Sequence, residues 1–306
     1  MKRCFLNERL KNIFLKNRDM RFIKMTGGLG NQMFIYAFYM RMKKHYINTR
    51  IDLFDMVHYK AHNGYEMHRV FNLPPIEFRI NQPLKKIIEF LFFKKIYERK
   101  QVPSSLVPYD KKYFWPLLYF KGFYQSERFF ADMADDIRKA FTFNPRLSNR
   151  KTKEMSEQID HDENAVSIHV RRGDYLEPKY WKTTGCVCQL PYYLNAIAEM
   201  NKRISQPSYY VFSDDIAWVK ENLPLPKAFF IDWNKGAESW QDMMLMSRCR
   251  HHIICNSTFS WWGAWLNPRE NKTVIMPERW FRHCETPDIC PDKWIKVPIN
   301  QPDSIQ

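Results

Sequence analysis

Between Ala165 and Met276 the chain repeats one pattern, a short apolar run rich in β-branched and aromatic residues followed by a longer stretch with helical spacing. The runs fall at Ala165–Val170, Tyr209–Ser213, Ala228–Asp232, His252–Cys255 and Thr273–Met276. Helical stretches occupy Pro191–Ile204, Ile216–Leu223, Ser239–Arg248 and Phe259–Leu266 between them. Strands joined through helices cannot pair as hairpins, so they lie parallel and are buried on both faces. The pattern predicts an α/β domain with helices on both sides of a parallel sheet.

A smaller version of the same plan opens the chain. Arg21-Phe22-Ile23-Lys24-Met25 reads as a strand, Gly27-Gly28-Leu29-Gly30 as a tight turn, and Asn31 to Tyr46 as a helix. The turn lacks the third glycine of a dinucleotide fingerprint and the Lys-Ser/Thr pair of a phosphate loop. It sets Asn31 and Gln32 at the mouth of a first half, facing a ligand across a cleft. The polar, charge-rich segment from Asn149 to Asn164 reads as a link. The expected division is a basic extension over residues 1–19, a first domain over 20–155 and a second over 156–306. At 306 residues and 45% hydrophobic composition, the chain has material for two cores. Residues 50 to 150 show no clear order, with Pro74-Pro75, a basic amphipathic stretch at Leu84–Gln101 and the run Tyr113-Phe114-Trp115.

The net charge of +15 points to nucleic acid, an anionic membrane or phosphate-bearing substrates. It is patchy, because residues 1–24 hold eight Lys/Arg against two acids. Two readings of that segment stay open: Met20 is the natural start, or the segment is a basic surface helix. No apolar run reaches bilayer length, and Lys11, Lys16, Arg18 and Asp19 interrupt any signal-peptide pattern. The expectation is a cytoplasmic protein, with peripheral contact to the inner membrane surface left open. Seven cysteines, among them Cys186, Cys188, Cys284 and Cys290, lack zinc spacing and read as reduced structural thiols, with no metal site.

In an open parallel sheet the ligand sits beyond the carboxyl ends of the strands. Three of those ends are polar. His169-Val170-Arg171-Arg172-Gly173-Asp174-Tyr175 offers two guanidinium groups, which grip diphosphate oxygens bidentately. Strand alternation puts His169 and Arg171 on one face and Arg172 on the other. The plainer reading is an Arg–Asp pair that ties the loop. Ser213-Asp214-Asp215 precedes a helix, where the acids serve as caps or as acceptors for a purine base. Asn256-Ser257-Thr258-Phe259 opens another helix, whose free N–H groups suit phosphate, while Trp261 and Trp262 read as core. Each signal alone is weak, yet all three face one crevice of one sheet.

Taken together, Gly27-Gly28-Leu29-Gly30-Asn31-Gln32-Met33-Phe34, His169-Val170-Arg171-Arg172-Gly173-Asp174-Tyr175, Phe212-Ser213-Asp214-Asp215 and Asn256-Ser257-Thr258-Phe259-Ser260-Trp261-Trp262 resemble the bacterial α-1,2-fucosyltransferases of glycosyltransferase family eleven. The resemblance runs from about Met20 to Pro277. It implies a GT-B-type α/β fold, two Rossmann-like domains with parallel sheets facing across a cleft. It also implies an inverting, metal-independent transfer of fucose from GDP-fucose to the 2-hydroxyl of a galactose-terminated glycan. By the same resemblance, Arg171 binds the diphosphate, with Arg172 and His169 in support. Asp215 with Asp214 reads guanine, Ser257, Thr258 and Phe259 complete the nucleotide pocket, and Asp174 orients the arginines. The acceptor's base stays open among Asp174, Glu177, His169 and the leaving phosphate. GDP-fucose is then a substrate, and no cofactor or nucleic-acid partner is expected. The rival readings are a basic glycan- or nucleic-acid-binding protein without catalysis and a transferase that uses another GDP-sugar.

Overall fold

The computed structural model describes residues 21–58, 62–74, 83, 119–180, 184–185, 187–282 and 287–300. The amino-terminal extension, the basic stretch at 84–101 and the aromatic run at 113–115 lie outside the described residues. Among the described residues no helix is long and apolar enough to cross a membrane.

The first half contains β1 (Arg21–Lys24), α1 (Leu29–His45), β2 (Thr49–Asp52), the short α2 (Met67–Val70), β3 (Tyr119–Phe120) and α3 (Ala134–Ala140). Its described strands form a parallel sheet in the order β2-β1-β3. The second half begins with α4 (Arg150–Asp160) and β4 (Ala165–Val170), then α5 (Leu190–Arg203) and β5 (Ser208–Ser213). It continues through α6 (Ile216–Asn222), β6 (Ala228–Ile231), α7 (Trp240–Arg248) and β7 (His251–Ile253). The last elements are α8 (Thr258–Leu266), β8 (Val274–Pro277) and β9 (Ile295–Val297).

The second sheet is parallel throughout, in the order β6-β5-β4-β7-β8-β9. Its order reverses between β4 and β7, which opens a crevice at their carboxyl ends. Strand alternation sorts the faces. Along β5, Tyr209 and Val211 join the core under α5, whereas Tyr210 and Phe212 join the one beneath α4 and α7. Two parallel α/β sheets of this kind make the GT-B arrangement.

The segment expected as a link is a helix instead. In α4 the Asn149 side chain caps the Thr152 N–H, and Ile159 is buried against the second sheet. Its charges occupy the outward face, so composition concealed the helical period. The structure also adds β2, β3 and β9, which were not expected.

Helix α1 is apolar nearly all round, with Met33, Phe34, Ile35, Ala37 and Phe38 fully buried, so it must be covered on every side. Helix α8 is similar, and Trp261 and Trp262 are core as expected. These two helices satisfy each other. Phe34 packs 4.5 Å from Trp261 and 4.8 Å from Trp262 by ring centroid, and Trp262 Nε1 donates to the Gly30 carbonyl at 2.9 Å. One hydrophobic cluster therefore runs from Ile23 and Phe120 through Trp262 to Met243 and Val274, spanning both halves.

Candidate active site

A cleft of about 770 Å³ lies between the two halves. It collects the carboxyl ends of β4, β5 and β6, the amino-terminal ends of α1 and α8, and the loop at His62–Glu66. Of the expected site residues, Asn31, His169, Arg171, Asp174, Asp214, Ser257, Thr258 and Phe259 line it.

Two helix starts converge here. Gly28 begins α1 with no side-chain cap, neither first turn carries an acid, and Ser257 caps α8 through the Phe259 N–H. The positive ends of both helix dipoles thus face the cleft, an arrangement suited to an anion. Gly27 turns the chain into α1 at φ +83°, a left-handed conformation that glycine adopts without strain.

Arg171 supplies the fixed charge. Its Nε and one terminal nitrogen each donate to an Asp174 carboxylate oxygen at 3.0 Å, a bidentate clamp that aims the guanidinium. Burial opposes the charge, but the hydrogen bonds donated to Asp174 and the nearby Tyr175 and acidic groups raise the pKa well beyond the ordinary arginine value. Lys235 is the other Lys or Arg on the described lining.

His169 is a different group from the one its sequence position implied. Burial, followed by the Arg171 charge, pushes its pKa down to about 3, so the imidazole is neutral. Its Nδ1 lies 3.2 Å from the Cys255 sulfur, and burial pushes that thiol up to about 12. His169 is therefore a neutral hydrogen-bonding wall and a poor proton acceptor.

Two expected contacts are not brought to the cleft. Arg172 packs its guanidinium 4.0 Å from the Trp218 ring and pairs with Asp215 at 3.2 Å. The second oxygen of Asp215 accepts the Trp218 N–H at 3.1 Å, as the cap of α6. Both residues are occupied in holding β4 to α6, the facing that strand alternation predicted for Arg172. Asp214 does reach the cleft, and it accepts the Arg172 backbone N–H at 2.8 Å. Gln32, expected at the mouth, is fully buried. Its amide donates to the carbonyls of Gly27 (2.8 Å) and Gly64 (2.7 Å) and accepts from Glu66 N (3.0 Å). It pins the loop that carries His62 and Asn63.

That loop went unread in the sequence. His62, Asn63 and Gly64 stand consecutively at φ 52°, 63° and 72°. Asn63 Nδ2 donates to the Gly236 carbonyl at 2.9 Å, and Arg69 donates to the carbonyl of Ala237, so the loop clasps the turn after β6. Asp242 was also missed, because it sits inside a stretch read only as a helix. It lines the cleft, accepts from Asn234 Nδ2 at 2.8 Å, and burial pushes its pKa up to about 7. A desolvated carboxylate of this kind is poised to accept N–H groups from a ligand.

The profile of the family described as Glycosyl transferase family 11 matches residues 11–297. The Alpha-1,2-colitosyltransferase of Escherichia coli is 32% identical over 292 residues, covering 90% of this chain and 97% of that protein. The Galactoside alpha-(1,2)-fucosyltransferase 1 of Ateles belzebuth is 31% identical over 160 residues, covering 49% of this chain and 43% of that protein. A crystal structure of NodZ alpha-1,6-fucosyltransferase co-crystallized with GDP superposes at a TM-score of 0.47 and 13% identity, covering 84% of this chain and 95% of that one.

Proposed function

Because the chain belongs to glycosyltransferase family 11, we propose that it moves L-fucose from GDP-fucose to the 2-hydroxyl of a galactoside, with inversion and without a metal. The observation that carries the reading is the convergence of Arg171 and two uncapped or hydroxyl-capped helix starts on one cleft. Cleavage of the sugar–phosphate bond builds negative charge on the departing diphosphate while the sugar becomes cationic. Fixed cations and helix N–H groups that meet this charge lower the barrier, which is the service a divalent ion would otherwise provide. Asp174 keeps Arg171 aimed, so little reorganisation is needed as the charge develops.

The nucleoside falls to the carboxylates on the same wall. Guanine presents a ring N–H and an amino group, and Asp214 and Asp242 are acceptors that line the cleft. Asp215, whose two oxygens serve Arg172 and Trp218, leaves the base to them.

A second reading is favoured by one observation. One relative matched over nearly its whole length is a colitosyltransferase, and colitose is fucose without its 3-hydroxyl. Both sugars use the same diphosphate chemistry, so they differ only in what the cleft offers that hydroxyl.

The experiment incubates the protein in EDTA with GDP-fucose or GDP-colitose and a panel of galactosides, then determines product linkage by NMR. An α-1,2-linked fucoside formed in EDTA is the expected outcome. Exclusive use of GDP-colitose would replace the donor, and strict dependence on added divalent ion would overturn the metal-free reading.

A further inference from the structure

On the reading above, we infer that His62 receives the proton of the acceptor hydroxyl. His62 lines the cleft from the first half and feels the charges of Arg171 and Asp174 of the second.

The backbone holds this side chain at a cost. A non-glycine residue at φ 52° followed by another at φ 63° stores about 1 kcal/mol or more at each position, and such strain persists only where the surroundings impose it. Here they do. Gln32 fixes the loop at Gly64 and Glu66, and Asn63 is anchored on Gly236 across the cleft. Gly28 leaves room for the ring, since a Cβ at that position would stand 3.2 Å from His62 Cβ and Cγ. The sequence thus spends a strained loop, a buried glutamine and a glycine to place one imidazole at the amino end of α1.

Asp174 gives both oxygens to Arg171, and Glu66 is paired with Arg69. His169 is buried and neutral against Cys255. His62 is solvent-exposed, and partial burial and the Arg171 charge, opposed by Asp174, keep its pKa below the ordinary histidine value. It therefore stands unprotonated at neutral pH, the state a proton acceptor requires.

The step balances without another reactant. An acceptor oxygen lone pair forms the new bond to the anomeric carbon, and the bond from that carbon to the β-phosphate oxygen breaks with its electron pair left on GDP. The hydroxyl proton passes to the His62 imidazole and then to solvent.

The test compares wild type with His62→Gln and His62→Ala in the full chain. It measures transfer from GDP-fucose to a responsive galactoside, GDP affinity by calorimetry, and GDP release in the presence of azide. Azide is a nucleophile with no proton to lose. The expected result is a fall in transfer of about 10²-fold or more, GDP affinity within about twofold of wild type, and azide-dependent GDP release in His62→Ala. Transfer by His62→Gln within about threefold of wild type would overturn the inference. So would lost GDP affinity without azide rescue, which marks a loop-positioning role only. A wild type that releases no GDP from GDP-fucose with any galactoside would overturn the donor reading, and this inference with it.

Discussion

Gly30 meets Thr258 where α1 crosses α8: a Cβ on the glycine would stand 2.6 Å from both the carbonyl carbon and Oγ1 of the threonine. Backbone cannot yield as a flexible side chain does, so even one methyl group forces the two helix starts apart. Gly30→Ala is expected to destabilise the protein by about 1–3 kcal/mol through overpacking. It should also weaken GDP binding, because both helix ends that line the cleft move. Thermal melts and calorimetry with GDP check the two effects.

Arg171 and Arg172 are neighbours with different work. Arg171→Ala is expected to lower transfer by about 10²-fold or more while the far-ultraviolet dichroism stays native. Arg171→Lys should recover little of it, because an ammonium cannot reproduce the fork held by Asp174. Arg172→Ala removes a contact to Trp218 and Asp215 outside the cleft lining, so its loss should appear in stability before activity. Equal activity losses for the two alanine variants would contradict this division.

Two buried imidazoles make the fold sensitive to acid. His252 receives Asn267 Nδ2 on Nε2 at 2.9 Å and faces Ser167 Oγ through Nδ1 at 2.8 Å, a neutral pairing between β4 and β7. Burial drives its pKa well below 6.5, and that of His169 to about 3. Since the unfolded chain binds more protons than the native one below pH 6.5, stability falls as pH drops from there toward 3. Urea midpoints measured from pH 7 to pH 4 should decline, and the slope should be shallower in His252→Gln.

Asp242 titrates in the opposite sense. Its carboxyl is raised to about 7 by burial, so stability is lost as pH rises from the unfolded value near 3.8 toward 7. Asp242→Asn is expected to raise the melting temperature at pH 8 in the free protein. The same change should weaken GDP more than UDP, which a competition assay with the two nucleotides checks.

Trp262→Phe keeps an aromatic ring in the core but removes the indole N–H that the Gly30 carbonyl accepts in addition to its bond within the helix. A cost of about 0.5–1.5 kcal/mol is expected from the lost hydrogen bond, read as a lower denaturation midpoint.

Legibility followed locality. β4 was read with its observed ends because an apolar run stops at Arg171-Arg172-Gly173, and α8 was placed within one residue because Ser257 caps an aromatic helix. α4 carries its own signals, Asn149 as a cap and Thr152, Met155 and Ile159 at helical spacing, but the charges between them mask the period. β3 is two residues inside a long aromatic segment, with nothing local to mark it. At the site, Arg171, Asp174 and Asn31 sit on motifs that a strand end or glycine turn displays. His62, Asn63 and Asp242 come from a loop and a helix interior, and only the fold brings them together.

The cluster that runs from Ile23 through Trp262 to Val274 sets a limit on recombination. Enzymes with two separable lobes can trade one for a relative's and so acquire a new acceptor. Here a chimera cut between the halves would pair two faces of α1 and α8 that were never fitted to each other. New specificity in this chain is therefore more accessible through single substitutions in the His62–Glu66 loop than by grafting a lobe.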